Sequence, residues 1–367
     1  MSDADNSNES NKVVDKGKID DVKIDDVKID DVKIDENKPQ ENKLPKNEEI
    51  YIDEDTLFIV ENGGNTCYID SLLMAMFYSE SFIDAILAKK PKKDSYIYLQ
   101  EFIKSYFVDH VRSAKSVTMD TINNMRFILL NCGWLSEDNL FSQQDVNEFF
   151  CFLADIFDIT IIELQKQTFT DIHGSNDPII EKVPFIPLSL PFNEELQTCP
   201  KEQITVKEML YTWLYKNEVN VKRDYTMNSE KKHKNVTGLS VYHIHNIPEF
   251  VALSINRFPK PDKRLNTDII IQKKLKPFKH TTNLDIRNIE WCFHAAICHR
   301  GETLRSGHYY SLLFKKKKDD KGDERDVWYI FDDLQQPCLT EISMNDEKIT
   351  SKIKKECVFL LYQLKLL

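Results

Sequence analysis

The chain has 367 residues, a formal net charge of −11 and 41% hydrophobic side chains. These values are typical of a folded protein of one large domain or two ordinary ones, and they exclude collagen-like and wholly disordered chains. The acidic charge argues against a nucleic-acid-binding platform, and no segment approaches the roughly 18 apolar residues of a membrane-spanning helix. The nine glycines are fewer than half of those expected at an average usage of about 7%, so each Gly is expected where the backbone requires one.

Residues 1–50 differ in composition from everything that follows. Three copies of KIDDV and a final KIDE occupy residues 18–36, and residues 1–50 carry 9 Lys against 15 Asp and Glu. The resulting charge of −6 is more than half of the net charge of the chain. A repetitive, charged segment without aromatic residues does not bury a core. We therefore predict a disordered acidic leader over residues 1–50 and a globular domain over residues 51–367.

The N-terminus and the cysteines indicate an intracellular protein. The first ten residues contain no basic segment followed by an apolar core, so we expect no signal peptide and a cytoplasmic location, with the nucleus or a host cell as alternatives. Thiols of a protein that is not exported stay reduced. None of the eight cysteines stands in a C-x-x-C pair, so neither a zinc ribbon nor a redox dithiol is supported. We predict no cofactor and no bound metal.

Helical patterns come first along the chain, and strand patterns follow. Apolar residues at helical spacing predict a helix over residues 66–78 with Thr66 as its N-cap, a second helix over residues 142–164 that begins at Ser142, and a short one over residues 206–215. This order indicates an α+β fold rather than alternating βαβ units. The predicted strands are β-rich runs at 183–192, 241–247, 250–258, 291–299, 306–314, 327–333 and 356–364.

A loop that contains two glycines, Gly63 and Gly64, leads into a helix whose first residue is expected to be Cys67. Unpaired N–H groups at a helix start stabilise a thiolate and lower its pKa. The same amides bind the oxyanion of a tetrahedral intermediate, and Asn62 is placed to add a second donor. A buried Cys beside an ordinary Gly turn explains this segment equally well.

A histidine and two aspartates stand in two strands that are expected to form a hairpin. If Phe314 pairs with Val327, His308 lies opposite Asp333, which brings a carboxylate beside a base of suitable pKa. A catalytic His needs such a partner to fix its tautomer. The hairpin does not choose between Asp332 and Asp333. With Cys67, the chain thus contains a nucleophile, a base and an orienting carboxylate.

Four motifs, in this order, resemble those of the ubiquitin-specific proteases, the papain-like deubiquitinases. Their cysteine box is similar to NGGNTCYIDSLL at 62–73, and their glutamine-aspartate box to SQQDVNEFFCFLADIF at 142–157. Their strand ending in Arg-Phe is similar to FVALSINRF at 250–258, and their histidine box to HAAICHRGETLRSGHYYSLLF at 294–314 followed by VWYIFDD. The resemblance extends from about residue 57 to the C-terminus and does not include the leader.

The resemblance implies the roles of the site residues. Cys67 is expected to be the nucleophile, His308 the general base and Asp332 the residue that orients it, while Asn62 matches the oxyanion-hole Asn. The residues expected to hold or line the channel for the extended tail of ubiquitin, whose two final glycines need a narrow tunnel, are Asp145, Glu148, His299, Tyr309 and Gly307.

The family fold implies an α+β papain-like cysteine protease with a helical thumb, an antiparallel palm and fingers between about residues 195 and 245. Many members hold zinc in the fingers through two C-x-x-C pairs. Here that region offers Cys199 and a few histidines, so the fingers are expected to be short and free of zinc. Asp70 stands where the family usually has Asn, beside the nucleophile.

The expected function is that of a monomeric thiol-dependent deubiquitinase, which hydrolyses peptide and isopeptide bonds at the C-terminal glycine of ubiquitin. Its partners are ubiquitin or ubiquitinated proteins, without nucleic acid or membrane. The alternatives are a non-catalytic ubiquitin-binding pseudo-protease and a protease for another ubiquitin-like modifier. A general papain-like endopeptidase is disfavoured because it has no use for the glutamine-aspartate box.

Overall fold

The computed structural model describes residues 58–159, 162–170, 174–175, 177–227, 230–246, 248–276, 289–303, 306–318 and 322–366. The leader predicted for residues 1–50 lies outside the described residues. Among the helices of the described ranges, none has the length and apolar character needed to cross a bilayer.

The helices lie mainly in the first half of the described chain, as predicted. Short 3₁₀ helices lie at Phe82–Leu87 and Glu137–Asn139, and a π-helical stretch lies at Ile103–Val108. The α-helices are α1 Cys67–Phe77, α2 Asp94–Phe102, α3 Asp109–Arg112, α4 Met119–Asn131, α5 Val146–Ile156, α6 Val206–Tyr215 and α7 Glu347–Glu356.

The strands form one large sheet and two smaller ones. They are β1 Ile162–Thr170, β2 Gly174–Ser175, β3 Ile179–Val183, β4 Ile186–Ser189, β5 Gln203–Thr205, β6 Asn217–Met227, β7 Glu230–Ile244, β8 Phe250–Asn256, β9 Asp268–Ile270, β10 Lys274–Leu275, β11 Ile289–Thr303, β12 Ser306–Lys318, β13 Glu324–Phe331, β14 Leu339–Ile342 and β15 Cys357–Leu366.

The large sheet has eight strands and carries half of the site. Its order is β14-β13-β12-β11-β15-β8-β4, with β10 also paired to β11, and every pairing except β4 with β8 is antiparallel. A second sheet has the order β2-β1-β7-β6, with β3 paired to β1. Strands β5 and β9 form a parallel pair. The predicted α+β class, with a largely antiparallel palm, is confirmed.

The large sheet separates two apolar clusters. Ile297 of β11 belongs to the cluster that also contains α1, α4 and α5, whereas its neighbours Ala296 and Cys298 belong to the cluster that contains α6. This alternation follows from the two-residue period of a strand. All 11 residues of α1 are buried, so the helix is enclosed on every side, and Ser311 of β12 donates a hydrogen bond to the carbonyl of Ser71 at 2.7 Å. This contact sets α1 against β12, the strand that contains His308.

The helix predicted over residues 142–164 is shorter than expected at both ends. Asp145 is its N-cap, because its Oδ1 accepts hydrogen bonds from the N–H groups of Asn147 and Glu148 at 2.6 and 3.3 Å; the predicted start at Ser142 is therefore wrong. At the other end, Asp158 has a φ of 50°, which ends the helix. Ile162 and Leu164, at the end of the predicted helix, belong to β1 instead.

The hairpin of β12 and β13 differs from the predicted register by one residue. Phe314 pairs with Trp328 rather than with Val327. The strands also continue into the lysine-rich segment that had been expected to be a loop. An ion pair of 2.8 Å joins Lys316 to Glu324 across the two strands, and such a pair of opposite charges adds modestly to the pairing of neighbouring strands.

Candidate active site

The loop before α1 is held by its own polar groups. Gly63 donates its N–H to the hydroxyl of Thr66 at 2.9 Å. Thr66 makes no side-chain cap bond to α1, so the predicted capping role of its side chain is wrong. Gly64 has a φ of 78°, a backbone conformation that favours glycine. The loop ends at Cys67, which is the first residue of α1 as predicted.

Arg126 of α4 holds this loop through hydrogen bonds to its backbone carbonyls. The residue is fully buried. Its guanidinium donates hydrogen bonds to the carbonyls of Gly63, at 3.0 Å, and Gly64, and lies 5.3 Å from the ring centroid of Phe141. Nothing in the sequence marks this arginine, because a single cation on a helix is usually exposed to solvent.

His308 lies at the start of β12, opposite Arg300 of β11. Its Nε2 is 2.7 Å from Oδ1 of Asp332 and 3.5 Å from Oδ1 of Asp333. Oδ1 of Asp332 also accepts a hydrogen bond from the N–H of Leu334 at 3.2 Å, and its Oδ2 lies 3.3 Å from Arg300. The distances make Asp332 the hydrogen-bonding partner of the imidazole, and this pairing leaves Nδ1 for a thiol.

The two neighbouring aspartates have opposite electrostatic environments. Burial alone would raise the pKa of Asp332, but its hydrogen bond to His308 and the charge of that residue lower the pKa below its usual value. Burial raises the pKa of Asp333. The nearby His308 and the amide of Asn62 favour its ionised form without reversing the direction. Asp332 is therefore the better partner for an imidazolium.

Asn62 is held at both ends of its side-chain amide. Nδ2 donates a hydrogen bond to Oδ2 of Asp333 at 2.7 Å, and Oδ1 accepts one from the N–H of Gly64 at 2.7 Å. The donor and the acceptor together fix which way the amide points. An amide nitrogen has two hydrogens, so one remains for an oxyanion.

Burial dominates the electrostatics of Cys67, which is only 3% exposed. It raises the pKa of the thiol to about 12, and the carboxyl groups of Asp333 and Asp70 act in the same direction. Backbone hydrogen bonds from Tyr309 and Tyr68 lower the pKa without cancelling this effect. The expected lowering of the pKa by the helix start is therefore wrong for this structure, because burial outweighs the helix-start amides.

The surroundings of the Cys67 thiol differ from those of the His308 imidazole. Cys67 lies beside the backbone of Tyr309, which follows His308. The hydrogen bonds of the described residues include none between Cys67 and His308. Burial therefore favours the neutral form of the Cys67 thiol.

Slow alkylation of Cys67 in the free protein is a measurable result of this burial. A pKa of about 12 leaves about 10⁻⁵ of the thiol ionised at pH 7, against a few per cent for a free cysteine. Iodoacetamide is expected to modify Cys67 more slowly than free cysteine, by about 10³-fold or more, and the rate should increase about tenfold per pH unit. Peptide mass spectrometry measures both rates, with the unfolded chain as a control; alkylation of folded Cys67 at the free-cysteine rate would contradict the raised pKa.

Three of the predicted tail-binding residues meet near the N-terminus of α5. Asp145 caps this helix, and Glu148 lies in its first turn. Tyr309 is 4% exposed. Burial raises the pKa of its phenol, and the charges of Asp145, Cys67 and Glu148 add to the effect. These side chains therefore surround one end of the site, on the side of Cys67.

His299 is buried with both ring nitrogens unpaired among the described residues. Its ring centroid is 4.7 Å from that of Tyr309, and burial lowers its pKa to about 4, so the ring is neutral. A Cβ added at Gly301 or Gly307 would overlap the ring. These two glycines thus make room for His299 itself, whereas the sequence had suggested room for a bound glycine tail.

Arg264 fixes the strand that precedes His308, and nothing in the sequence marks it. Its guanidinium donates hydrogen bonds to the carbonyls of His299, at 2.8 Å, and Gly301. The residue lies in the segment between β8 and β9. Its contacts therefore join that segment to the wall of the site, and they hold the backbone on which the imidazole depends.

The site also contains a set of side chains able to hold a metal ion. Ligand atoms of His308, Asp332 and Asp333 lie within 4.8 Å of one another. The short hydrogen bond between His308 and Asp332 and that between Asn62 and Asp333 already use these atoms for one another. The chemistry that this arrangement best supports is nucleophilic attack by a thiol assisted by an imidazole.

The chain matches the family model for ubiquitin carboxyl-terminal hydrolase over residues 60–362. Ubiquitin carboxyl-terminal hydrolase 15 of Schizosaccharomyces pombe is 24% identical to it over 298 residues, which represent 75% of this chain and 24% of that protein. The chain therefore spans about a quarter of the length of this curated relative.

Two solved structures share the fold. A chain of the SAGA Ubp8/Sgf11/Sus1/Sgf73 DUB module bound to ubiquitin aldehyde has a TM-score of 0.58 at 19% identity. A chain of the same module bound to monoubiquitin has a TM-score of 0.56 at 17% identity. Each comparison covers 85% of this chain and 70% of the other. The family model matches residues 60–362, which are most of the chain, and this match shows that the chain belongs to the ubiquitin carboxyl-terminal hydrolase family.

Proposed function

We propose that this chain is a thiol-dependent deubiquitinase, which hydrolyses peptide and isopeptide bonds at the C-terminal glycine of ubiquitin. The observation that carries the proposal is the 2.7 Å hydrogen bond between His308 and Asp332, set beside a helix that begins with Cys67. Membership of the ubiquitin carboxyl-terminal hydrolase family supports ubiquitin as the substrate.

The first half of the proposed reaction forms a thioester. Nδ1 of His308 takes the proton of the Cys67 thiol, and the sulfur attacks the carbonyl carbon of the terminal glycine. Nδ2 of Asn62 and the N–H of Cys67 donate hydrogen bonds to the oxyanion of the tetrahedral intermediate. Asp332 holds Nε2 of the imidazole and stabilises its positive charge.

The second half of the reaction releases ubiquitin. The imidazolium of His308 gives its proton to the leaving lysine amine as the C–N bond breaks. The neutral imidazole then takes a proton from a water molecule, which attacks the thioester. Collapse of the second intermediate returns that proton to the sulfur of Cys67 and frees the carboxylate of ubiquitin.

We assign the substrate tail to the cleft beside Tyr309. Asp145 and Glu148 are placed to accept hydrogen bonds from its backbone or to pair with its cations, and His299 and Gly307 line the end nearest the thiol. A neutral, buried His299 suits a channel for an uncharged glycine backbone, because a charged ring there would lose its solvation.

The remaining assignments concern the whole chain. We propose that residues 51–367 form the catalytic domain and that residues 1–50 are a solvated acidic spacer. The protein is expected to act in the cytoplasm as a monomer that binds ubiquitin or ubiquitinated proteins, without nucleic acid, membrane or a finger zinc. Sedimentation of the full chain with and without ubiquitin measures the stoichiometry.

Replacing the proposed oxyanion donor is expected to lower the turnover number. Asn62→Ala should reduce kcat about 10²-fold with little change in KM, because the amide acts on the transition state rather than on the bound substrate. Steady-state kinetics on a ubiquitin C-terminal fluorogenic amide measure both constants. Asn65→Gly is the matched control in the same loop. Asn65 has a φ of 57°, which glycine adopts readily, and its side-chain amide donates a hydrogen bond to the carbonyl of Phe141. An unchanged kcat in Asn62→Ala would remove Asn62 from the oxyanion hole.

A panel of fluorogenic modifier amides tests the proposed substrate. The full chain is expected to release fluorophore from the ubiquitin amide and much more slowly from the amides of other ubiquitin-like modifiers. Release from another modifier alone would make the chain a protease for that modifier. Tight binding of ubiquitin without any release would make it a pseudo-protease.

A further inference from the structure

One buried carboxyl group has no part in the proposed chemistry. Asp70, in the first turn of α1, is fully buried. Neither of its carboxyl oxygens has a hydrogen-bond donor among the described residues. An ionised carboxylate in such a place loses its hydration without compensation, so the neutral acid is favoured there.

Asp333 faces Asp70 from the turn after β13, and each carboxyl group is a hydrogen-bond neighbour of the other. The side chain of Asp333 has no exposed surface. Its Oδ2 accepts the hydrogen bond from Asn62, and its Oδ1 is buried without a hydrogen-bond partner, 3.5 Å from Nε2 of His308. A proton on Asp70 would therefore meet a free acceptor.

The other titratable groups near Asp70 come from three elements. Cys67 and Tyr68 share α1 with it, and Cys338 precedes β14. The cation that acts on Asp70 is Arg126 of α4. Its guanidinium donates to backbone carbonyls of the loop before α1 instead of neutralising the carboxyl pair.

We propose that Asp70 is a neutral carboxylic acid that donates a hydrogen bond to the Asp333 carboxylate and thereby positions Asn62. Two buried carboxyl groups in contact cannot both ionise, so they share one proton. Asp333 carries the negative charge because Asn62 donates a hydrogen bond to it and His308 adjoins it. The Thr66 side chain and Arg126 also favour ionisation of Asp70, but neither makes a hydrogen bond to its carboxyl oxygens among the described residues, and burial outweighs both. Asp70 is thus a positioning residue, and this role rests on the proposed function of Asn62 in stabilising the oxyanion.

The shared proton makes this part of the site sensitive to alkaline pH. Burial, and then the charge of Asp333, raise the pKa of Asp70 well above the usual 3.8, so the folded chain keeps a proton that the unfolded chain loses. The stabilising contribution of this group is complete below pH 3.8 and is lost as the pH rises towards the folded pKa. An amide at this position donates the same hydrogen bond without titrating.

Infrared difference spectroscopy of the full chain detects the proton without any substrate. The spectrum of the wild type minus that of Asp70→Asn at pH 7 is expected to contain the C=O stretching band of a protonated carboxyl group. Asp120→Asn, which changes an exposed carboxylate of α4, should give no such band and is the control. Absence of the band from the Asp70 difference spectrum would overturn the proposal, whatever the activity of the protein.

Turnover of the ubiquitin amide measures the positioning effect. Asp70→Leu keeps a side chain that branches at the same atom but is larger and has no donor, and it should lower kcat about tenfold or more while KM stays within about threefold. Asp70→Asn should recover most of this loss at pH 7, and its kcat relative to the wild type should increase at alkaline pH. A wild-type kcat in Asp70→Leu, or an equal loss in both variants, would contradict the positioning role.

Thermal unfolding provides a readout that does not depend on activity or on the folding of Asp70→Leu. Asp70→Asn should have a higher Tm than the wild type at pH 8, by a larger margin than at pH 4. A margin that does not grow with pH would contradict a raised folded pKa. If the wild type failed to hydrolyse the ubiquitin amide, the proposed function would fail, while the infrared and unfolding results would still decide whether the carboxyl pair shares a proton.

Discussion

Cys67→Ala is expected to lower the rate of hydrolysis of a ubiquitin C-terminal amide by about 10⁴-fold or more, because the thiol forms the covalent intermediate. The change removes one atom from a side chain that is 3% exposed, so the fold should be retained and the circular dichroism spectrum should not change. Affinity for ubiquitin should persist, since the residues that we propose to hold its tail are others. Fluorescence release and a binding titration together measure these expectations.

Cys199→Ala is the matched control for the loss of a thiol. Cys199 is only partly buried and lies between β4 and β5, in a part of the sequence that offers nothing to the proposed chemistry. Its variant should retain the wild-type rate. Substantial hydrolysis by Cys67→Ala, or loss of activity in Cys199→Ala alone, would show that the nucleophile has been misassigned.

Asp332→Ala is expected to lower kcat about 10³-fold, within the range that general acid–base catalysis contributes. The carboxylate of Asp332 makes the 2.7 Å hydrogen bond to Nε2 of His308, and without it the imidazole loses its orientation and the stabilisation of its charge. Steady-state kinetics on the ubiquitin amide measure the loss, and KM is expected to change little.

Asp333→Ala separates the two adjacent aspartates. Asp333 lies 3.5 Å from Nε2 of His308 and accepts the hydrogen bond from Asn62, so its loss should loosen the oxyanion donor rather than the base. We expect a fall in kcat of about 10², comparable to that of Asn62→Ala and smaller than that of Asp332→Ala. The reverse order of the two effects would assign the orientation of the imidazole to Asp333.

The elements that hold the Cys and the His could be predicted because their local signals are strong. A Gly-containing loop before an apolar helix placed Cys67 at a helix start, and two β-rich runs joined by charged residues placed His308 near the two aspartates. The prediction of how β12 pairs with β13 was wrong by one residue. Phe314 pairs one residue away from the predicted partner, because a pattern of β-rich runs locates two strands without fixing how they pair, and the strands continue through the charged segment that the pattern predicts to be a loop.

The interactions that complete the site come from distant parts of the chain. Arg126 reaches the carbonyls of the loop before α1 from α4, and Asn62 reaches Asp333 across 271 positions of sequence. The thiol pKa depends on burial, which follows from the packing of α1 on every side rather than from its sequence position. Such tertiary effects override local expectations based on a helix start.

The scarcity of glycine has a structural explanation at several positions. Gly64 adopts a left-handed conformation, and a Cβ at Gly301 or Gly307 would overlap the ring of His299. The glycines near the site are therefore explained by the backbone conformation of the loop and by the space that the His299 ring occupies. A narrow channel for a glycine tail remains a prediction that rests on the proposed function.

The most direct measurement is the mass of the complex formed between the full chain and ubiquitin that carries a C-terminal thiol-reactive warhead. We expect one ubiquitin per chain, linked to the peptide that contains Cys67, and formation of the adduct much faster than alkylation of Cys67 by iodoacetamide. Absence of an adduct under conditions where ubiquitin binds, or an adduct on another cysteine, would contradict the assignment of Cys67 as the nucleophile of a deubiquitinase.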